Sequence, residues 1–158
     1  MTDQEDVEPT MPHDKVAEFI VAFSGSLDPR LWIKLIDEEL AELLAEEWGT
    51  ENHLKELCDL LYVSTGLALT VPEHVGMLLR PKERDKIAKQ QGKVSRMLDS
   101  GLEHYGEEVF VEAFSRVHTS NMSKLDKNGD PILRDDGKVM KGPDYQKPTL
   151  IDLLEKAA

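Results

Sequence analysis

Two leucine-rich stretches, LIDEELAELLAEEW (residues 35–48) and KELCDLLYVSTGLAL (55–69), place acids where helical geometry demands apolar side chains. At about 100° of rotation per residue, Trp32, Ile33, Leu35, Ile36, Leu40, Leu43 and Leu44 share one broad apolar arc. Glu39 falls inside that arc and Glu42 on its edge. On the second stretch Glu56 and Asp59 straddle Val63, beside Leu60 and Leu67. A buried, unpaired carboxylate costs several kcal/mol (roughly, for a desolvated ion). No Lys or Arg on either helix is expected on the acidic face. A divalent cation resolves the conflict; protonation, or an Arg from elsewhere, is the other cure. Two i,i+3 acid pairs on adjacent antiparallel helices converge on one point, and hard ions such as Mg²⁺ or Mn²⁺ take all-oxygen sites of that kind. Asp37, Glu46, Glu47 and Glu51 read instead as a solvated face.

At 158 residues the chain has the length of one domain with a real core. Its formal charge of −12 argues against general binding to nucleic acid or an anionic membrane. A small polyanionic substrate is not excluded, because a metal inverts the local field. No apolar run is long enough to span a bilayer, and the acidic start MTDQEDVEPT is no signal peptide. The single Cys58 lies in an apolar helix and reads as a packing residue; one cysteine gives no disulfide framework and fits a reducing cytoplasm.

Residues 1–12 read as a disordered acidic tail ahead of one domain over 13–158. A short helix is expected from Asp14 to Phe23, stopped by Ser24-Gly25-Ser26. Asp28 caps the next helix, with Pro29 at its first position. Thr50 caps a third, whose nearly all-round apolar surface suits a central bundle helix. Residues 72–104 are polar and basic and read as a helical insertion broken around Pro81 and Gly92. After Gly106, Val109, Phe110, Ala113, Phe114 and Val117 recur at helical spacing. Asn128-Gly129 and Asp136-Gly137 are turn dipeptides in an irregular C-terminal tail closed by a short helix over 149–156. The fold class is therefore all-α: an antiparallel bundle built from a metal-binding helical hairpin. Two amphipathic acidic helices make half of a four-helix arrangement, so a homodimer or homotetramer is expected to complete it.

Competing chemistries lack their motifs. There is no Walker loop and no Gly-rich dinucleotide turn. None of the five histidines follows a glutamate by three residues, so the Glu-x-x-His of di-iron bundles is missing. Asp126-Lys127-Asn128-Gly129-Asp130 has its glycine too early for a calcium loop and reads as a turn. His118 ends an apolar helix as a structural or substrate-edge residue rather than a ligand.

The order Glu38-Glu39-x-x-Glu42, then Glu56-x-x-Asp59 followed by Leu-Leu-Tyr-Val-x-x-Gly, resembles the signature of MazG-like, all-α nucleoside triphosphate pyrophosphohydrolases. That superfamily includes phosphoribosyl-ATP pyrophosphohydrolases and dimeric dUTPases. Val117-His118-x-Ser120-Asn121-Met122-Ser123-Lys124, with Asp136-Gly137-Lys138 and Lys141-Gly142-Pro143, is similar to further elements of such proteins. The segment 72–104 departs from their compact pattern. The resemblance implies that Glu39, Glu42, Glu56 and Asp59 hold Mg²⁺, with Mn²⁺ as substitute. It further implies that Glu38 orients or deprotonates the attacking water, or holds a further ion. Asn121 and Lys124 would contact phosphate, with Lys138 and Lys141 closing over it from the hairpin; Lys127, Arg134 and Lys147 are expected to be solvated. The implied reaction converts a nucleotide triphosphate to the monophosphate and pyrophosphate. Phosphoribosyl-ATP hydrolysis, or a non-enzymatic helical interaction module that keeps the acids for assembly, are the alternatives.

Overall fold

The computed structural model describes residues 12–23, 28–74 and 79–157. Among them the chain is all-α, with helices α1 (Pro12–Ala22), α2 (Pro29–Ala45), α3 (Glu51–His74), α4 (Pro81–Tyr105), α5 (Glu107–Met122) and α6 (Ile151–Ala157). A two-stranded antiparallel hairpin, β1 (Ile132–Leu133) and β2 (Val139–Met140), lies between α5 and α6. Residues 1–11 of the expected acidic tail, and the expected stop at Ser24-Gly25-Ser26, lie outside the described residues; Pro12 belongs to α1.

The helix starts follow their caps. The Asp28 carboxylate accepts from Arg30 N at 3.0 Å, and Pro29 follows where its missing N–H costs nothing. The Thr50 hydroxyl accepts from His53 N at 3.2 Å, which satisfies one orphan donor of α3. His53 serves the fold in another way. Buried, it meets the Tyr105 hydroxyl through Nδ1 at 2.7 Å, and the same hydroxyl accepts from Gly49 N at 3.1 Å. The α2–α3 turn is thus pinned to the end of α4.

α3 is the axis of the molecule. α1, α2, α4 and α5 all pack on it, and Leu54, Leu57, Cys58 and Leu60 are wholly buried. Residues 81–105, read from the sequence as part of an insertion, form α4 and cover one side of this helix within the same chain. α4 runs unbroken through Gly92, and Pro81 opens it. The Glu83 carboxylate reaches back to Arg80 N at 2.6 Å and takes Arg30 Nε at 3.0 Å, joining the starts of α4 and α2. Buried Gln90 donates to Ile33 O and to Asp37 Oδ1, each at 2.8 Å. Gly101 lets α4 approach α3 so closely that a Cβ there would overlap Leu57.

Two surface assignments also change. Leu44, expected in the apolar arc, is 68% exposed. Glu51, expected on a solvated face, accepts from Leu150 N at 3.0 Å. The C-terminal segment is a strap rather than a loose tail: Leu150 and Leu153 are fully buried in the common core, and Arg116 holds Thr149 O at 3.0 Å and Asp152 at 2.7 Å.

Candidate functional site

The helical hairpin α2–α3 brings three of the four expected ligands together. Carboxylate oxygens of Glu39, Glu56 and Asp59 lie within 4.8 Å of one another. Glu39 and Glu56 are each only 8% exposed, as their angular positions require. Glu42 is exposed and stands outside this triplet, on the wall of the same cavity. One oxygen of Glu56, Oε2, is buried with no hydrogen-bond partner among the described residues.

The electrostatics record the crowding. Burial, then the charges of Asp59, Glu42 and Glu56, push the Glu39 carboxyl up to about 8; Lys138 partly offsets them. Burial also raises Glu56, against the pull of Lys55. Lys55 is the correction to the sequence reading, which expected no basic residue on this face. Its ammonium donates to Glu56 Oε1 at 3.0 Å and to Asp59 Oδ2 at 2.7 Å. Burial alone would lower the Lys55 pKa, but those two carboxylates hold it above its ordinary value. The i,i+4 spacing of Lys55 and Asp59 was the available signal.

Glu38, the neighbour of Glu39, reaches the β-hairpin. Arg134 Nη2 reaches its Oε1 and Lys138 Nζ its Oε2, both at 2.9 Å. Burial would raise its pKa, but these two hydrogen bonds and the accompanying charges outweigh it, so Glu38 stays below the usual carboxylate range. Arg134 is therefore a clamp and not the solvated side chain expected; it also grips Asp136, which takes Lys34 at 2.6 Å. No local pattern announces ion pairs between α2 and a turn so distant in sequence. The turn beginning at Asp126 is as expected: its Oδ1 accepts from Asn128 N and Asp130 N, each at 2.8 Å.

The hairpin and α5 roof two joined compartments. Glu39, Asp59, Asn121, Lys124, Lys138 and Val139 border both. One compartment is charged and has a volume of about 380 Å³; Glu42, Lys55, Lys141 and Tyr145 extend it. The other is apolar, about 70 Å³, and walled by Phe19, Trp32, Leu35, Tyr62 and Val63. The charged compartment is the larger of the two. Trp32 lies flat on α3 because Gly66 presents no Cβ against its ring.

Of the expected phosphate contacts, Asn121 is buried and Lys124 sits at the junction of the compartments. Burial lowers the Lys124 pKa, against the opposing pull of Asp59 and Glu39, and it forms no ion pair among the described residues. Lys138 is engaged with Glu38 and stands 3.9 Å from Glu39. Lys141 is exposed on the rim, 4.9 Å above the Tyr145 ring. His118 borders neither compartment. Its Nδ1 meets the Tyr62 hydroxyl at 2.8 Å and its Nε2 meets Glu18 at 3.1 Å, an arrangement that suits the neutral Nε2–H tautomer. Asn121 also bonds Tyr62, so His118 buttresses the wall from behind.

Comparison with protein-family models, curated proteins and solved structures finds no match to this chain. Among the described residues, no helix is long and apolar enough to cross a membrane.

Proposed function

We propose that the chain is a metal-dependent nucleoside triphosphate pyrophosphohydrolase, releasing the monophosphate and pyrophosphate. The observation that carries this reading is the orphaned, buried Glu56 Oε2 within a triplet of carboxylates, two of which, Glu39 and Asp59, border the charged compartment together with Lys124 and Lys138. A donor set of carboxylate oxygens alone fits a hard divalent ion, and an unsatisfied buried acceptor needs such a partner. Glu39, Glu56 and Asp59 would hold Mg²⁺ or Mn²⁺, with Glu42 joining from the rim. When bound, the ion supplies charge neutralisation at the triphosphate and polarises a phosphoryl oxygen.

The chain's own groups do the rest. Lys124, already poorly solvated, gains a counter-charge when phosphate arrives, and buried Asn121 offers a fixed amide beside it. Lys138 stands at the same junction and bridges from Glu38 to the phosphates. Trp32, Tyr62 and Phe19 wall the small apolar compartment that would take an apolar part of a nucleotide. Glu38, held ionised by Arg134 and Lys138, is a weak base but a good acceptor. Its role is to orient the water that attacks the α-phosphorus while pyrophosphate leaves in line.

One observation favours a different reading, a metal-free helical interaction module: Lys55 already pairs with Glu56 and Asp59, and Arg134 and Lys138 with Glu38. A panel of nucleoside triphosphates, phosphoribosyl-ATP included, scored for pyrophosphate release with Mg²⁺ or Mn²⁺, separates the two. The hydrolase reading expects metal-dependent release that Glu56→Gln abolishes and that Glu38→Gln, by misplacing the water, slows by roughly 10²-fold. No release from any member of the panel would leave the interaction module.

A further inference from the structure

We infer that Lys55 is a resident counter-ion of the carboxylate triplet, which a divalent cation must displace and which then turns to the bound phosphates. The inference rests on the metal-centre reading above and adds a regulation to it. Lys55 stands one helical turn before Asp59, on the same face, and its ammonium also reaches the neighbouring Glu56. Its ammonium bridges Glu56 Oε1 and Asp59 Oδ2 at 3.0 and 2.7 Å, with the side chain 21% exposed. One monovalent head thereby does half of a divalent ion's work. The other half is left undone: among the described residues Glu56 Oε2 has no partner, and Glu39 has only the distant Lys138 ammonium at 3.9 Å.

The ammonium has somewhere to go. Lys55 borders the charged compartment together with Lys124, Lys138 and Lys141, and its four-carbon stem rotates freely compared with an Arg fork. A triphosphate in that compartment offers the head new acceptors as the carboxylates turn to the metal. The two ligands should then help each other bind: nucleotide draws Lys55 off the acids, and metal pushes it toward the phosphates. Such coupling is reciprocal and typically spans about 5–150-fold in affinity. Without nucleotide, Lys55 keeps the acids from holding a stray divalent ion tightly.

The test uses Mn²⁺ alone, without nucleotide, and reads its dissociation constant by calorimetry or electron paramagnetic resonance. Lys55→Met keeps the stem and removes the charge, whereas Lys55→Arg keeps the charge. Lys55→Met should bind Mn²⁺ about tenfold tighter than wild type or better and melt lower in chelator; Lys55→Arg should stay close to wild type. Should Lys55→Met fail to fold, Lys55→Gln, which retains a hydrogen-bond donor, replaces it with the same expectation. Equal affinity in wild type and the neutral variants overturns the role of Lys55 while leaving the metal centre standing. No Mn²⁺ binding by any of these proteins at millimolar concentration overturns the centre and the inference together.

Discussion

Glu39 carries a carboxyl that burial and the neighbouring acids push up to about 8, against 4.5 in the unfolded chain. Between those values the unfolded chain releases a proton that the folded one keeps. Glu39 therefore contributes its full stability below about pH 4.5, loses it as pH rises toward 8, and contributes a constant penalty above. In chelator, Glu39→Gln should remove this slope, which has a ceiling of about 1.4 kcal/mol per pH unit. The variant should then melt above wild type at pH 8. Melting curves from pH 4.5 to 8.5 check this, and parallel curves would contradict it. Bound Mg²⁺ should flatten the wild-type slope as well, because a ligating carboxylate must be deprotonated. The inward direction of Glu39 and Glu56 was legible in the sequence, since a helix fixes each Cα–Cβ direction to within a few tens of degrees (roughly, from its period). The partner of Glu56 was not: the direction of Lys55 at its Cβ says little about where its ammonium ends.

α4 shows how element breaks are misjudged. Gly92 and Pro81 carry propensity costs, yet Pro81 sits at the first position, where the cost vanishes, and glycine within a helix costs only about 1 kcal/mol. Burial of Val94, Gln90, Gly101 and Tyr105 outweighs that sum. The two glycines of α4 should accordingly respond in opposite directions to alanine. At Gly92 the nearest group to a new Cβ is the flexible Arg96 guanidinium at 3.7 Å, so Gly92→Ala should stabilise by about 0.5–1 kcal/mol. At Gly101 the methyl would overlap Leu57, and Gly101→Ala should destabilise by about 1–3 kcal/mol through overpacking. Urea denaturation of the two variants decides; a stabilised Gly101→Ala would mean that α3 and α4 are not in close contact. The turns around Asn128-Gly129 and Asp136-Gly137 were readable from their dipeptides. The docking of the hairpin on Glu38, and the anchoring of the strap by Leu150 and Leu153, depend on distant partners with no local trace. A truncation after Ser120, which the tail-like composition invites, would open the core by removing Leu150 and Leu153.

For the whole molecule, the all-α class and the central place of α3 followed from periodicity, but the covering of α3 by α4 did not. Periodicity tells how much of a helix is apolar, not which segment covers it. The apolar groups left outside are spread over five helices, with Val21, Leu44, Leu102, Val111 and Ile151 on one each, and over the hairpin, which exposes Ile132, Leu133 and Met140. The hairpin's ion pairs, Lys34 with Asp136 and Arg134 and Lys138 with Glu38, have a kinetic consequence in a molecule of charge −12. At low ionic strength the distant field repels a triphosphate while the pairs keep the roof down. Added salt screens the one and loosens the other, the screening length shrinking from about 30 Å at 0.01 M to about 10 Å at 0.1 M. On the proposed nucleotide reading, capture of a fluorescent triphosphate in stopped flow should therefore accelerate between those concentrations, the reverse of the slowing seen when opposite charges steer an encounter. A rate that falls with salt would mean that the ligand enters by a route the hairpin does not guard.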